Sequence, residues 1–208
     1  MLALLHTSPV HVPVFDALRD AGHPGLALRH LVHEDLLARA VAEGPQAVAA
    51  GVEAALAAAV AAGASAVLCT CSTIGGVAER AGEALGVPVL RVDRPMARAA
   101  ASAGRVVVVA ALESTLEPTA ELIREEAAGR PVDLRTLVVE GAWARFEAGD
   151  RDGYLDAVAA AVDSVTAADV IVLAQVSMAD AARRTTNTTQ VLSSPRPGLA
   201  AAAAAAGA

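Results

Sequence analysis

LRHLVHEDLLAR (residues 28–39) and LRTLVVEGAWAR (residues 134–145) govern the reading of this 208-residue chain. Laid over one another at an offset of 106, they agree at seven of twelve positions: Leu, Arg, Leu, Val, Glu, Ala and Arg. At an offset of 104, LALLHTSPVH (2–11) falls on VVVVAALEST (106–115), and ASAVLCTCST (64–73) falls on ADVIVLAQVS (168–177). Stretches 46–62 and 150–166 superimpose at that same offset. Ala/Val coincidences are cheap in a chain that is 55% apolar, but the L-R-x-L-V-x-E-x-x-x-A-R match is not. It also lies in the right order among the others. A duplication is expected, with one lobe from 1–93 plus the returning tail 185–208, and a second from 94–184.

Within each copy, short apolar runs alternate with longer helical patterns. LALLH (2–6), LALRHLV (26–32), AVLCT (66–70) and VPVLRV (87–92) read as strands of the first copy. RVVVVAAL (105–112), VDLRTLVV (132–139) and DVIVLAQ (169–175) read as strands of the second. Helices are expected over 13–22, 35–63, 72–86, 94–103, 117–128 and 152–167, and VLSSPRPG (191–198) as a last strand and loop before an Ala-rich helix. Continuous Val, Ile and Leu runs without strict alternation mark strands covered on both faces. Strands separated by helices of this length imply parallel pairing. The fold class is therefore α/β: two similar lobes, each a parallel sheet flanked by helices, with an active-site cleft between them.

Composition removes several function classes. All sixteen basic residues are arginine, so neither a Schiff-base lysine for pyridoxal phosphate nor the lysine of a P-loop is present. STIGG (72–76) resembles part of a dinucleotide loop, but G-x-G-x-x-G is absent, and no cofactor is expected. A net charge of −7 without a basic stripe argues against nucleic-acid binding. No apolar run is long enough for a membrane span, and the N-terminus lacks the pattern of a signal peptide. Two cysteines without an export signal point to reduced thiols and a cytoplasmic location. The small-residue helices are compatible with a homodimer.

In parallel α/β sheets ligands bind beyond the carboxyl ends of the strands. Those ends carry Thr7 and Ser8, then Cys71, Ser72 and Thr73 in the first copy, and Ser114, Thr115, Gln175 and Ser177 in the second. Small hydroxyls and helix N-terminal N–H groups suit a carboxylate. The repeat sets Gln175 at the position of Cys71. Cys71 is expected at a helix N-terminus with Ser72 as N-cap, a setting that lowers a thiol pKa from about 8.5 to as little as ~3.5–7.5. Cys69, two residues deeper, reads as packing. Position alone leaves two readings of Cys71, a buried structural thiol or a reactive one. A C-x-C zinc clip needs further ligands that the spacing does not supply. His6, His11, His23, His30 and His33 all fall in the first 33 residues. His6 and His33 stand near strand ends, yet no ligand-spaced pair is present, and no metal is expected. Glu34 and Glu140 are repeat partners just past the second strand of each copy, read as helix N-terminal carboxylates, with lining of the cleft as the alternative. No arginine plainly clamps a distal carboxylate from a strand end.

The order of these motifs resembles the Asp/Glu/hydantoin racemase superfamily over essentially the whole chain. Cys71-Ser72-Thr73 is similar to that family's first-lobe cysteine followed by Asn or Ser and then Thr; LEST (112–115) resembles its second-lobe entrance and points to Thr115. VLSSPRPG is similar to the tail of some members. The resemblance implies a cofactor-independent enzyme acting on a small carboxylate, with Cys71 as catalytic thiol. It also implies Thr7, Ser8, Ser72, Thr73, Ser114, Thr115 and Ser177 as substrate-binding residues. Gln175 occupies the place of the second catalytic cysteine. An amide is neither a base nor an acid near neutral pH, so the resemblance is to a one-sided enzyme, a racemase-like isomerase or a decarboxylase; single-cysteine members of the family are the precedent. The alternative is a noncatalytic carboxylate-binding or regulatory descendant.

Overall fold

The structure, a computed structural model, describes residues 1–207. Its chain divides into two compact units, one of residues 1–93 with the segment from Pro195 onward, the other Arg94–Ser194. Strands β1 (Leu2–His6), β2 (Leu28–Val32), β3 (Ala66–Cys69) and β4 (Val89–Arg91) form a parallel sheet in the order β2-β1-β3-β4. β5 (Arg105–Ala110), β6 (Asp133–Val138), β7 (Val170–Leu173) and β8 (Gln190–Ser193) form a second parallel sheet in the order β6-β5-β7-β8. The register reproduces the repeat. Leu2 pairs with Leu28 and Ala66, and Val106 pairs with Leu134 and Val170, the same offsets that align the sequence with itself.

Helices α1 (His11–Gly22), α2 (Glu34–Glu43), α3 (Ala49–Ala61) and α4 (Ser72–Gly82) belong to the first unit. The second holds α5 (Arg94–Ala100), α6 (Leu116–Ala127), α7 (Ala142–Glu147) and α8 (Arg151–Asp163). Strand alternation sorts the core. Ala3, Leu5, Val67 and Cys69 share a buried cluster with residues of α2, α3 and α4, whereas His6 lies on the other face against His11 and Phe15 of α1. In the second unit Val106 and Val108 pack with α5 and α6, and Val107 and Val109 pack with α8.

Two expectations need correction. The single helix over 35–63 is broken into α2, a 3-10 turn at Pro45–Val48, and α3. Gly44 adopts φ +90°, a left-handed conformation that favours glycine, and Pro45 lacks the N–H that a continuing helix would need. The tail does not return to the first lobe at residue 185. Residues 190–193 form β8, which pairs beside β7 so that Ile171 faces Val191 as Val67 faces Val89 in the first sheet. Only from Pro195 does the chain rejoin the first unit, as α9 (Pro195–Ala205), which packs on α1 and β3. Gly198 permits this docking, because a Cβ there would stand 2.4 Å from the Val92 carbonyl oxygen. Among the described residues no helix is long and apolar enough to cross a membrane.

Candidate functional site

In each sheet the chain leaves the two central strands toward opposite edges: β1 leads to β2 and β3 to β4, β5 to β6 and β7 to β8. Such switch points open a crevice at the strand carboxyl ends, where parallel α/β sheets bind ligands. In the first unit that point brings together Thr7 and Ser8, following β1, with Cys71, Ser72 and Thr73, following β3. Thr7, Ser72 and Thr73 are buried and Ser8 is half-buried. Cys71, not Ser72, is the N-cap of α4, with an extended backbone at φ −112° and ψ 117°; Ser72 is already helical. Cys71 is 8% exposed and packs in the cluster that contains Cys69, Ile74 and Val77. Cys69 is fully buried, its Sγ 3.6 Å from the Cys71 carbonyl oxygen, and burial pushes its thiol well above the ordinary range. Among the described residues, the backbone N–H groups of Thr7 and Ser8 meet no acceptor.

The equivalent point of the second unit is organised differently. Gln175 Oε1 accepts hydrogen bonds from the backbone N–H of Ala111 at 2.7 Å and of Leu112 at 3.3 Å. These are the repeat partners of Thr7 and Ser8. The amide of Gln175 thus turns back onto its own sheet. Ser177 Oγ lies 2.8 Å from the Tyr154 hydroxyl of α8, whose pKa burial pushes up to about 12, so Tyr154 stays neutral. Thr115 is buried at the N-cap of α6, and its carbonyl accepts from Thr119 at 2.8 Å. Ser114 Oγ is buried without a hydrogen-bond partner among the described residues.

Other residues were not anticipated. Arg91, at the end of β4, is 6% exposed and donates from Nε and Nη2 to the two oxygens of fully buried Asp93, at 2.7 and 2.8 Å. Burial works against the guanidinium, but Asp93 outweighs it and holds Arg91 above its ordinary pKa. Its stem presses on α4, where a Cβ at Gly75 would stand 3.0 Å from Arg91 Nε. Here, then, is a strand-end arginine, committed to an internal carboxylate; the R-x-D spacing, which puts both side chains on one face, was the available signal. His6 bonds to Thr70 and His30 rather than to His33, whose N–H bonds the His6 carbonyl. Burial first, then the neighbouring His11 and His30, hold His6 down to about 3; burial holds His11 down to about 4. No three His, Cys, Asp or Glu side chains among the described residues converge as a metal cluster. Glu34 opens α2, while Glu140 lies in the turn ahead of α7.

The Asp/Glu/Hydantoin racemase family matches residues 13–206. No curated protein matches the chain. Among solved structures, glutamate racemase isoform RacE1 from Bacillus anthracis aligns with a TM-score of 0.77 at 15% identity, covering 98% of this chain and 80% of that one. Glutamate racemase from Thermus thermophilus aligns with a TM-score of 0.76 at 20% identity over 99% and 81%. Arylmalonate decarboxylase aligns with a TM-score of 0.62 at 20% identity over 100% and 92%. At these identities the likeness is one of fold.

Proposed function

Because the chain belongs to the Asp/Glu/hydantoin racemase family, we propose that it is a cofactor-independent enzyme acting on a small carboxylate through the single thiol of Cys71. The reaction is one-faced: a decarboxylation, or an isomerisation that calls for no proton on the opposite face. The observation that carries this reading is the contrast between matching strand ends. Beside Cys71 the N–H groups of Thr7 and Ser8 stay open, whereas the same pair in the second unit is closed by Gln175. In the first unit a substrate carboxylate accepts from those N–H groups and from the Thr7 and Thr73 hydroxyls. As a bond at the α-carbon breaks, negative charge moves onto the carboxylate oxygens, and the same donors stabilise it. Cys71 takes the α-proton as that bond breaks and returns it to the same face or, where CO₂ is the group that leaves, gives its own proton to the vacated face. Gln175, an amide with its carbonyl oxygen engaged, supplies no second proton.

The test presents the protein with small 2-amino acids and 2-substituted malonates in D₂O and follows the α-carbon by NMR. Deuterium should appear in one configuration only, and Cys71→Ala should abolish it. Deuterium in both enantiomers would show a second proton carrier and contradict the one-sided mechanism. A second reading, a noncatalytic carboxylate-binding protein, is favoured by the 8% exposure of Cys71. It predicts a thermal shift with the same acids, equal in wild type and Cys71→Ala, and no exchange in either.

A further inference from the structure

His6 and Thr70 stand 64 residues apart in sequence and are joined across β1 and β3, His6 Nδ1 lying 2.7 Å from Thr70 Oγ1. His6 is fully buried. Its Nε2 is 2.8 Å from His30 Nδ1, and His30 Nε2 is 3.4 Å from Asp16 Oδ1 on α1. His6 and His30 stack with ring centroids 5.1 Å apart, while Phe15 and His11 of α1 approach His6 from the helix above. Apart from the three imidazoles, Asp16 is the charged group in this set, and its side chain is 41% exposed.

Counting hydrogens fixes the direction of each bond. An Asp16 carboxylate only accepts, so neutral His30 donates from Nε2 and accepts at Nδ1. His6 therefore donates from Nε2 and accepts, at Nδ1, the Thr70 hydroxyl hydrogen. If His30 gains a second proton, the inner links reverse: His30 donates to His6, His6 to Thr70, and Thr70 turns its hydrogen to the Leu5 carbonyl at 3.2 Å. Every polar atom from Asp16 through His30 and His6 to Thr70 is satisfied in both states, and both keep His6 bonded to Thr70.

His6 immediately precedes Thr7, and Thr70 immediately precedes Cys71. Their side chains lie on the α1 face, so the link ties the two strand ends from behind and leaves the Cys71 face alone. The repeat partners of His6 and Thr70 are Ala110 and Ala174, methyl groups that cannot form such a link. There Gln175 ties the strand ends itself, from the position that Cys71 holds in the first unit. We propose that the His6–Thr70 bridge, backed by His30 and Asp16, is the positioning device that sets the Cys71 strand end against the Thr7–Ser8 loop. It does what Gln175 does in the second unit, and it frees position 71 for a thiol. The inference rests on the reading of Cys71 as a reactive thiol, and two readouts keep them separable.

The first readout is the rate of Cys71 alkylation by iodoacetamide in the full chain near neutral pH, with modified peptides identified by mass spectrometry. Thr70→Val should slow it by about fivefold, the effect of one net hydrogen bond, and Thr70→Ser should restore it to within about twofold. The second is hydrogen exchange of the residue-70 amide, which donates to the Leu5 carbonyl at 2.9 Å across β1 and β3; relative to the unfolded variant, Thr70→Val should speed it by about the same factor and Thr70→Ser should not. Should Thr70→Val fail to fold, His30→Asn, at a less buried site, takes both readouts with the same expectation. Unchanged exchange in the variant overturns the bridge. Exchange that changes as expected, in a protein whose Cys71 alkylates no faster than Cys69, upholds the bridge and overturns the reactive thiol.

Discussion

The end of β3 and the end of β7 stand at matching points of two sheets with the same strand order and the same register. Each must hold a neighbouring strand end in place, and they do so with different atoms. At β7 the residue that closes the sheet, Gln175, binds Ala111 and Leu112 through its own side chain. At β3 the tie has moved back one residue and to the other face, as Thr70 bound to His6. A duplicated fold can thus meet one structural requirement twice while leaving a thiol uncommitted in one copy only. On the proposed reading of Cys71, function follows from which position in each copy is relieved of a structural duty.

The asymmetry can be broken at several points. The largest expected effect is at the sheet edge, where Arg91 and Asp93 have the repeat partners Ser193 and Pro195, which cannot pair. Asp93→Ala removes the buried carboxylate that meets Nε and Nη2 of Arg91 and should cost about 3–5 kcal/mol in urea unfolding. A loss under about 1 kcal/mol would mean that this edge does not depend on the ion pair. Next comes acid sensitivity, since all five histidines lie in the first unit. His6 and His11 drop from 6.5 when unfolded to about 3 and about 4 when folded, so between those values the unfolded chain binds more protons. Their contribution is complete above pH 6.5 and is lost as pH falls toward 4 and then 3. Denaturant unfolding measured between about pH 7 and pH 4.5 should report a loss on the order of 5 kcal/mol. His11→Leu should make that loss smaller, and a midpoint independent of pH would contradict the burial of both imidazoles. Gln175→Leu leaves the Ala111 and Leu112 N–H groups without their acceptor and should cost about 1–2 kcal/mol. If calorimetry finds Gln175→Leu neutral, Gln175 is not the tie of its sheet. The smallest effect is expected at Tyr154→Phe, about 0.5–1.5 kcal/mol for the lost bond to Ser177.

The duplication and the parallel strands could be read from sequence because both rest on local pattern. Val-rich runs covered on two faces do not alternate, and the offsets of 104 and 106 reappear as strand register. Three features escaped. The break at Gly44-Pro45 carries a plain local signal, but it is embedded in an Ala-rich stretch that favours helix on both sides. The strand at residues 190–193 was legible as a strand, but its place beside β7 was not, because it repeats VLR of β4 only as VLS, too short a match to separate from chance. The His6–Thr70 and Gln175–Ala111 links each join residues 64 apart and exist only once parallel register is fixed, so no local pattern announces them. Candidate positions were found because strand ends are visible. Which of them are already committed to the protein itself was not, as with Ser177, held by Tyr154.

The most direct test compares the two thiols in the folded protein. Treatment with limiting iodoacetamide near neutral pH, with and without a saturating small dicarboxylate such as malonate, is followed by mass mapping of the modified peptides. Fast labelling of Cys71, none of Cys69, and protection of Cys71 by the dicarboxylate are the predicted result. Labelling of both cysteines only on unfolding, or labelling of Cys71 that the dicarboxylate leaves unchanged, would contradict it.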